Sequence, residues 1–177
     1  MYSLRIQGDI ASKFAFKQNS GHEFRSFVES LVLNYVTIVC SKYRTDLIYF
    51  SEHDRQDELL RAWFKVCGIP FDLKLAEEFK RSEGQNEVFE NYFVDLVYLA
   101  RKPDRFYLYQ KQLSLTVQQE PKHPIHQKLI SCAQHLASNT KSFSTPLIMA
   151  DTPSVAYQIL KETKTFATNA ASGYIDN

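Results

Sequence analysis

Apolar and polar positions change their period several times along the chain. Residues 2–7, Tyr-Ser-Leu-Arg-Ile-Gln, alternate with a period of two, which predicts a strand with Tyr2, Leu4 and Ile6 on one face. Gly8 and Asp9 then offer a helix start, and Ile10 and Phe14 give a short helix one apolar face. Asn19-Ser20-Gly21 is expected to end it, with Gly21 in the left-handed conformation that often follows a helix. From His22 onward, Phe24, Phe27, Val28, Leu31, Val32, Tyr35, Val36 and Val39 recur at helical spacing, predicting one long helix with a wide apolar stripe.

Leu47 to Phe50 is a short apolar run that fits either element. Asp54 to Gly68 reads as a helix through Leu59, Leu60, Trp63, Phe64 and Cys67. A second helix is expected around Leu73, Leu75, Ala76 and Phe79, ending near Gly84. A third carries Val88, Phe89, Tyr92, Phe93, Leu96 and Leu99 and stops at Lys102-Pro103. Residues 106–118 read as strand, because Leu113, Leu115 and Val117 alternate with Ser114, Thr116 and Gln118. A helix follows through Leu129, Ile130, Cys132, Ala133 and Leu136. Ser144-Thr145-Pro146 and Thr152-Pro153 each resemble a cap followed by proline at the first helical position.

The fold class expected is therefore mainly α with a short antiparallel β-ribbon (α+β). Four segments are expected: 1–44 as a ribbon-and-helix unit, 45–104 as a helical insert, 105–166 as strand plus helices, and 167–177 as a flexible tail of small polar residues. At 177 residues and 44% hydrophobic, the chain can bury one sizeable core. No apolar run approaches the roughly 18 residues of a membrane span, and the first residues do not read as a secretory signal. Cys40, Cys67 and Cys132 are odd in number and far apart in apolar contexts. They read as reduced core residues, which points to a cytoplasmic location. The net charge of +1 hides an uneven spread. Residues 1–44 carry six Lys/Arg against three Asp/Glu, 45–104 eight against thirteen, and 105–166 seven against three. Two basic ends flank an acidic middle, and a basic end can face a polyanion.

Strand, short helix, glycine and longer apolar helix follow in order within 40 residues. The pattern is Leu4-Arg5-Ile6, then Ile10 and Phe14, Gly21, and Phe27-Val28, Leu31-Val32 and Tyr35-Val36. It resembles the ribbon-helix-helix family of DNA-binding proteins over about a quarter of the chain. The resemblance implies a homodimer in which two copies of residues 2–7 pair antiparallel and enter the major groove of double-stranded DNA. It makes Ser3, Arg5 and Gln7 the base-contacting residues, since Arg can bond guanine and Gln adenine. Lys17, Gly21, His22 and Arg25 would then hold a phosphate at the start of the second helix. Residues 111–118 bear the same likeness, with Ser114, Thr116 and Gln118 as an alternative groove-facing set. The expected function is a transcriptional regulator, of the kind that serves plasmid or phage operons, conjugative transfer among them. The alternatives are a relaxosome-type DNA-binding accessory protein and a metal-dependent hydrolase. A further protein partner is expected on the acidic middle.

The hydrolase alternative rests on Glu52, His53, Asp54, Asp57 and Glu58, the densest polar cluster. First-turn acids of a helix explain most of it. Asp151 reads as a helix cap. His123 and His126 bracket Pro124 in a loop and, read without a Cys or carboxylate partner, do not suggest a metal site. No phosphate loop, Gly-rich dinucleotide turn or nucleophile elbow occurs, so neither an enzyme, a metal nor a cofactor is expected.

Overall fold

A computed structural model of the chain describes residues 1–17, 20–32 and 35–143, with side chains as far as residue 138. The alternation of residues 2–7 produces strand β1 (Tyr2–Gln7). Gly8 turns the chain out of β1 at φ +94°, a conformation open to glycine, and its N–H donates to Tyr43 O at 2.9 Å. A 3-10 segment (Asp9–Phe14) and helix α1 (Ser20–Val32) follow. Next come β2 (Val36–Ser41), β3 (Arg44–Tyr49), α2 (Gln56–Val66), the short α3 (Leu73–Ala76) and β4 (Lys80–Glu83). Three long helices complete the described chain: α4 (Gln85–Ala100), α5 (Pro103–Gln119) and α6 (His126–Phe143).

The sheet order is β2-β3-β1-β4, and every neighbouring pair is antiparallel. Order and connectivity together are those of the ferredoxin-like β-α-β-β-α-β unit. Residues paired across strands share a face, so Tyr2, Leu4 and Ile6 lie beside Tyr49, Leu47 and Thr45. That face packs on Phe14, Phe24, Val28, Trp63, Phe64 and Phe79 from the 3-10 segment, α1, α2 and the turn before β4. Trp63 Nε1–H donates to Phe14 O at 3.0 Å, which answers the one polar atom of that large ring. Complete burial of Leu4 and Ile6 stabilises the sheet by about 1.5–3 kcal/mol per side chain. The opposite face carries Ser3, Arg5, Thr37, Val39, Asp46 and Ile48, and α4, α5 and α6 cover it through Tyr92, Leu96, Tyr109, Leu113 and Leu129. The molecule is thus mixed α+β, with helices on both sides of one antiparallel sheet.

Several expectations are corrected. The β-ribbon was to form between two copies of residues 2–7, but β1 is a central strand whose two edges are taken by β3 and β4 of the same chain. The sheet also draws on both sides of the 44/45 boundary, since β3 begins at Arg44 and pairs with β1. The helix expected to run to Val39 stops at Val32, and the β-branched run Val36-Thr37-Ile38-Val39 forms strand β2. Gly21 lies inside α1, not at a left-handed helix end; Asn19 falls outside the described residues. The second middle helix shrinks to α3, and Lys80–Glu83 pairs with β1.

The strand expected at 106–118 is the clearest miss. It is helix α5, with Pro103 in its first turn and Phe106, Tyr109, Leu113 and Val117 buried three to four residues apart. The alternation of Leu113, Leu115 and Val117 was incidental, and Leu115 is exposed. The capped turns at 144–146 and 152–153, Asp151, and the tail at 167–177 lie outside the described residues.

Candidate functional site

Two polar clusters sit under α5 on the same face of the sheet. The first lies at its centre. Asp46, 1% exposed, accepts from Arg5 Nε at 2.6 Å, from Arg44 Nε at 2.7 Å and from Tyr109 Oη at 2.7 Å. Asp95 on α4 accepts from Arg5 Nη1 at 2.5 Å and from Lys80 Nζ at 2.6 Å. Arg44 also lies over the rings of Tyr92 and Tyr109, 4.8 and 5.0 Å from their centroids. Burial alone would raise the Asp46 pKa, but Arg44 and Arg5 outweigh it and hold the carboxyl below 3.8. Burial pushes the Tyr92 and Tyr109 hydroxyls up, so both stay protonated and can donate. Two guanidinium groups face two carboxylates in a closed, helix-covered space, which makes this cluster structural.

The second cluster lies at the β2 edge of the sheet. The link between α5 and α6 reads Glu-Pro-Lys-His-Pro-Ile-His from residue 120 to 126. His123 N–H donates to Glu120 O at 3.1 Å, and His126 N–H to His123 O at 3.2 Å. Successive i to i+3 turns put residues three apart on one side. His123 and His126 therefore point towards Thr37 of β2, and Glu120 stands beside them. The imidazole rings of His123 and His126 stack at 4.2 Å with 15° between their planes.

The hydrogen bonds order the protons. His126 Nδ1–H donates to Glu120 O at 2.9 Å, which leaves Nε2 as its lone-pair nitrogen. Thr37 Oγ1–H donates to that Nε2 at 3.1 Å, and the same oxygen stands 3.3 and 3.5 Å from His123 Nε2 and Nδ1. His123 Nδ1 faces the N–H of Ile125 at 3.5 Å. Burial, then the nearby charges of His126 and Arg25, push the His123 pKa down to about 4, and burial lowers that of His126 as well. Both rings are therefore uncharged at neutral pH, the form that binds metal. One ligand atom from each of Glu120, His123 and His126 lies within 4.8 Å of the others. Among the described residues this is the group of His, Cys, Asp and Glu that could hold a metal ion. The Glu120 carboxylate is paired with Arg25 Nη2, and Arg25 Nε also binds Glu29 Oε1 at 2.7 Å. A cleft of about 380 Å³ opens beside the cluster, lined by Tyr35, Glu120, Pro121, Lys122 and His123.

The residues singled out in the sequence are scattered. Ser3 and Arg5 are buried, and half-buried Gln7 accepts from Arg44 Nη1 at 3.2 Å. Lys17 and His22 are exposed, while half-buried Gly21 and Arg25 lie within α1. Ser114 and Gln118 are exposed on α5, and Thr116 donates to Gln112 O at 3.0 Å. In the acidic cluster, Asp54 accepts from Gln56 N–H at 2.7 Å just ahead of α2, and Asp57 and Glu58 pair with Arg81 and Arg55. The residue the sequence reading missed is Glu120. It stands three positions before His123, as His123 stands three before His126, and that equal spacing, with Pro121 and Pro124 interleaved, was the available signal.

Fold and site together define a mixed α+β protein with a ferredoxin-like sheet and a His-His-Glu cluster at the sheet edge. No protein-family model matches the sequence, and no curated protein matches it.

Proposed function

We propose that the chain binds a divalent metal ion of the zinc class through Glu120, His123 and His126. The observation that carries this reading is the order of the His126 bonds: Nδ1–H is anchored on a backbone carbonyl, and Nε2 is left as a lone pair facing Thr37 Oγ1, with ligand atoms of Glu120 and His123 within 4.8 Å. A metal-bound histidine uses the same device, since the fixed N–H sets the ring's tautomer and orientation. Two imidazoles and a carboxylate suit zinc, with ligand bonds of about 2.0–2.2 Å, and leave a coordination position open. Thr37 gives up its bond to Nε2 on loading, and Arg25 gives up Glu120. Calorimetric titration of the chelator-stripped full chain with zinc tests the reading. One site per chain is expected, weakened at least about tenfold by Glu120→Ala and by His126→Ala, each checked for folding. Absent binding, or binding indifferent to both substitutions, overturns it.

Binding of double-stranded DNA by a homodimer is the second proposal. Its support is the exposure of Lys17 and His22 at the start of α1, no longer the buried face of β1. A salt-sensitive shift of duplex DNA, lost on replacing both residues by alanine, would support it. The absence of any shift would end it, and a shift unchanged by that replacement would take the contact away from Lys17 and His22.

A further inference from the structure

A metal held by three protein groups keeps at least one position for a ligand from outside. Here two of the three groups, Glu120 and His123, also line the cleft of about 380 Å³. Resting on the metal reading above, we infer that the loaded site takes a small acid built on a single flat ring, with its oxyanion on the metal beside Lys122 and its ring against Tyr35 and Pro121.

Charge selects the oxyanion. The imidazoles contribute none, so a divalent ion with Glu120 leaves one positive charge. Lys122 stands in the same wall and adds a second positive charge. Glu120 is the one acid among the residues lining the cleft, and the metal uses it. A ligand that brings its own negative charge meets a site preset for it.

Shape selects the ring. Tyr35 is 56% exposed, yet it is not loose. Its ring meets His123 edge-on at 5.1 Å and 70°, and Phe50 at 6.4 Å and 79°. Two neighbours fix its plane and leave a flat apolar surface open to the cleft, with Pro121 in the same wall. Ligand sites run from about 300 to 1,000 Å³, so this one is near the lower limit. One ring and one oxyanion group fit it. The shared chemistry is an oxyanion on an aromatic ring, and a phosphoryl or a carboxyl group could supply it.

The test uses the full chain loaded with cobalt(II), whose visible absorption reports its ligands. Phenylphosphonate and benzoate represent the two acid classes, and inorganic phosphate and acetate serve as their ringless counterparts. At least one ring acid is expected to shift the cobalt spectrum and to bind about two- to tenfold more tightly than its counterpart, the gain an aromatic contact gives. Whichever binds better names the acid class, and either supports the inference. Tyr35→Ala is expected to erase that gain while cobalt affinity is retained. Lys122→Ala should weaken all four anions by about two- to fivefold. If cobalt binds but the ring acids gain nothing over their counterparts, or if both substitutions leave anion affinity unchanged, the inference is overturned and the metal reading stands. If cobalt itself does not bind, the metal reading falls and takes the inference with it.

Discussion

The two polar clusters beneath α5 share a sheet face and differ in almost every other respect. At the centre, the guanidinium groups of Arg5 and Arg44 bond the carboxylates of Asp46 and Asp95 beneath α4 and α5. At the β2 edge, His123 and His126 are uncharged, held by one hydroxyl and one carbonyl, and His123 lines an open cleft. Density of charge is therefore a poor guide to function here. The closed cluster ties Arg5 of β1 and Arg44 and Asp46 of β3 to Asp95 of α4, so its value is the fixing of β1, β3 and α4 in register. The open cluster has lone pairs to offer and a way in.

Mutation should separate the clusters by what is lost. The largest effect is expected from Asp46→Ala, which strands Arg5 and Arg44 without their shared carboxylate. Removing one partner of a buried pair costs about 3–5 kcal/mol, readable as a lowered denaturant midpoint. Arg5→Ala acts in the same direction, because it leaves Arg44 as the one cation on Asp46, beside the Tyr109 hydroxyl, and Lys80 as the one on Asp95. An Arg5→Ala protein of unchanged stability would mean that the central network is not closed as described.

Acid should act on the centre too. Asp46 ionises below its ordinary 3.8, so the unfolded chain takes up its proton first. The stability it lends is present above pH 3.8 and is lost as pH falls further. An unfolding series across that range should show the loss in the native chain and a shallower one in Asp46→Asn.

A smaller effect belongs to the edge. Arg25 holds the Glu120 carboxylate that the metal must take, so Arg25→Met should tighten zinc binding by about two- to fivefold, the worth of a partly exposed ion pair. Weaker binding in that variant would make Arg25 a positioning residue for Glu120 instead of a competitor. The smallest effect is expected from Asp57→Ala. That side chain is 80% exposed in its pair with Arg81, and its removal should move stability by less than about 0.5 kcal/mol.

How much of this was legible in the sequence depended on whether one local period governed each segment. Residues 2–7 announced their strand and its faces, because alternation of Tyr2, Leu4 and Ile6 with Ser3, Arg5 and Gln7 fixes both. What covers the polar face is a tertiary matter, and nothing local told whether Arg5 would meet solvent or Asp46, 41 positions away. Residues 36–39 satisfied helical spacing and β-branched preference at once, and pairing with β3 decided for the strand. In α5 the spacing of Phe106, Tyr109, Leu113 and Val117 is present beside the misleading alternation, and Pro103 sits in its first turn. At the candidate metal site both histidines were noticed, but Glu120 was assigned to no partner. The two turns that swing it beside them, and Thr37 opposite, belong to the fold.

The most direct measurement is X-ray absorption at the zinc edge of the loaded full chain. The account predicts a first shell of nitrogen and oxygen at about 2.0–2.2 Å, with the outer-shell signature of two imidazoles and no sulfur. A shell with sulfur near 2.3 Å, drawn from Cys40, Cys67 or Cys132, or an oxygen shell without imidazole, would contradict it.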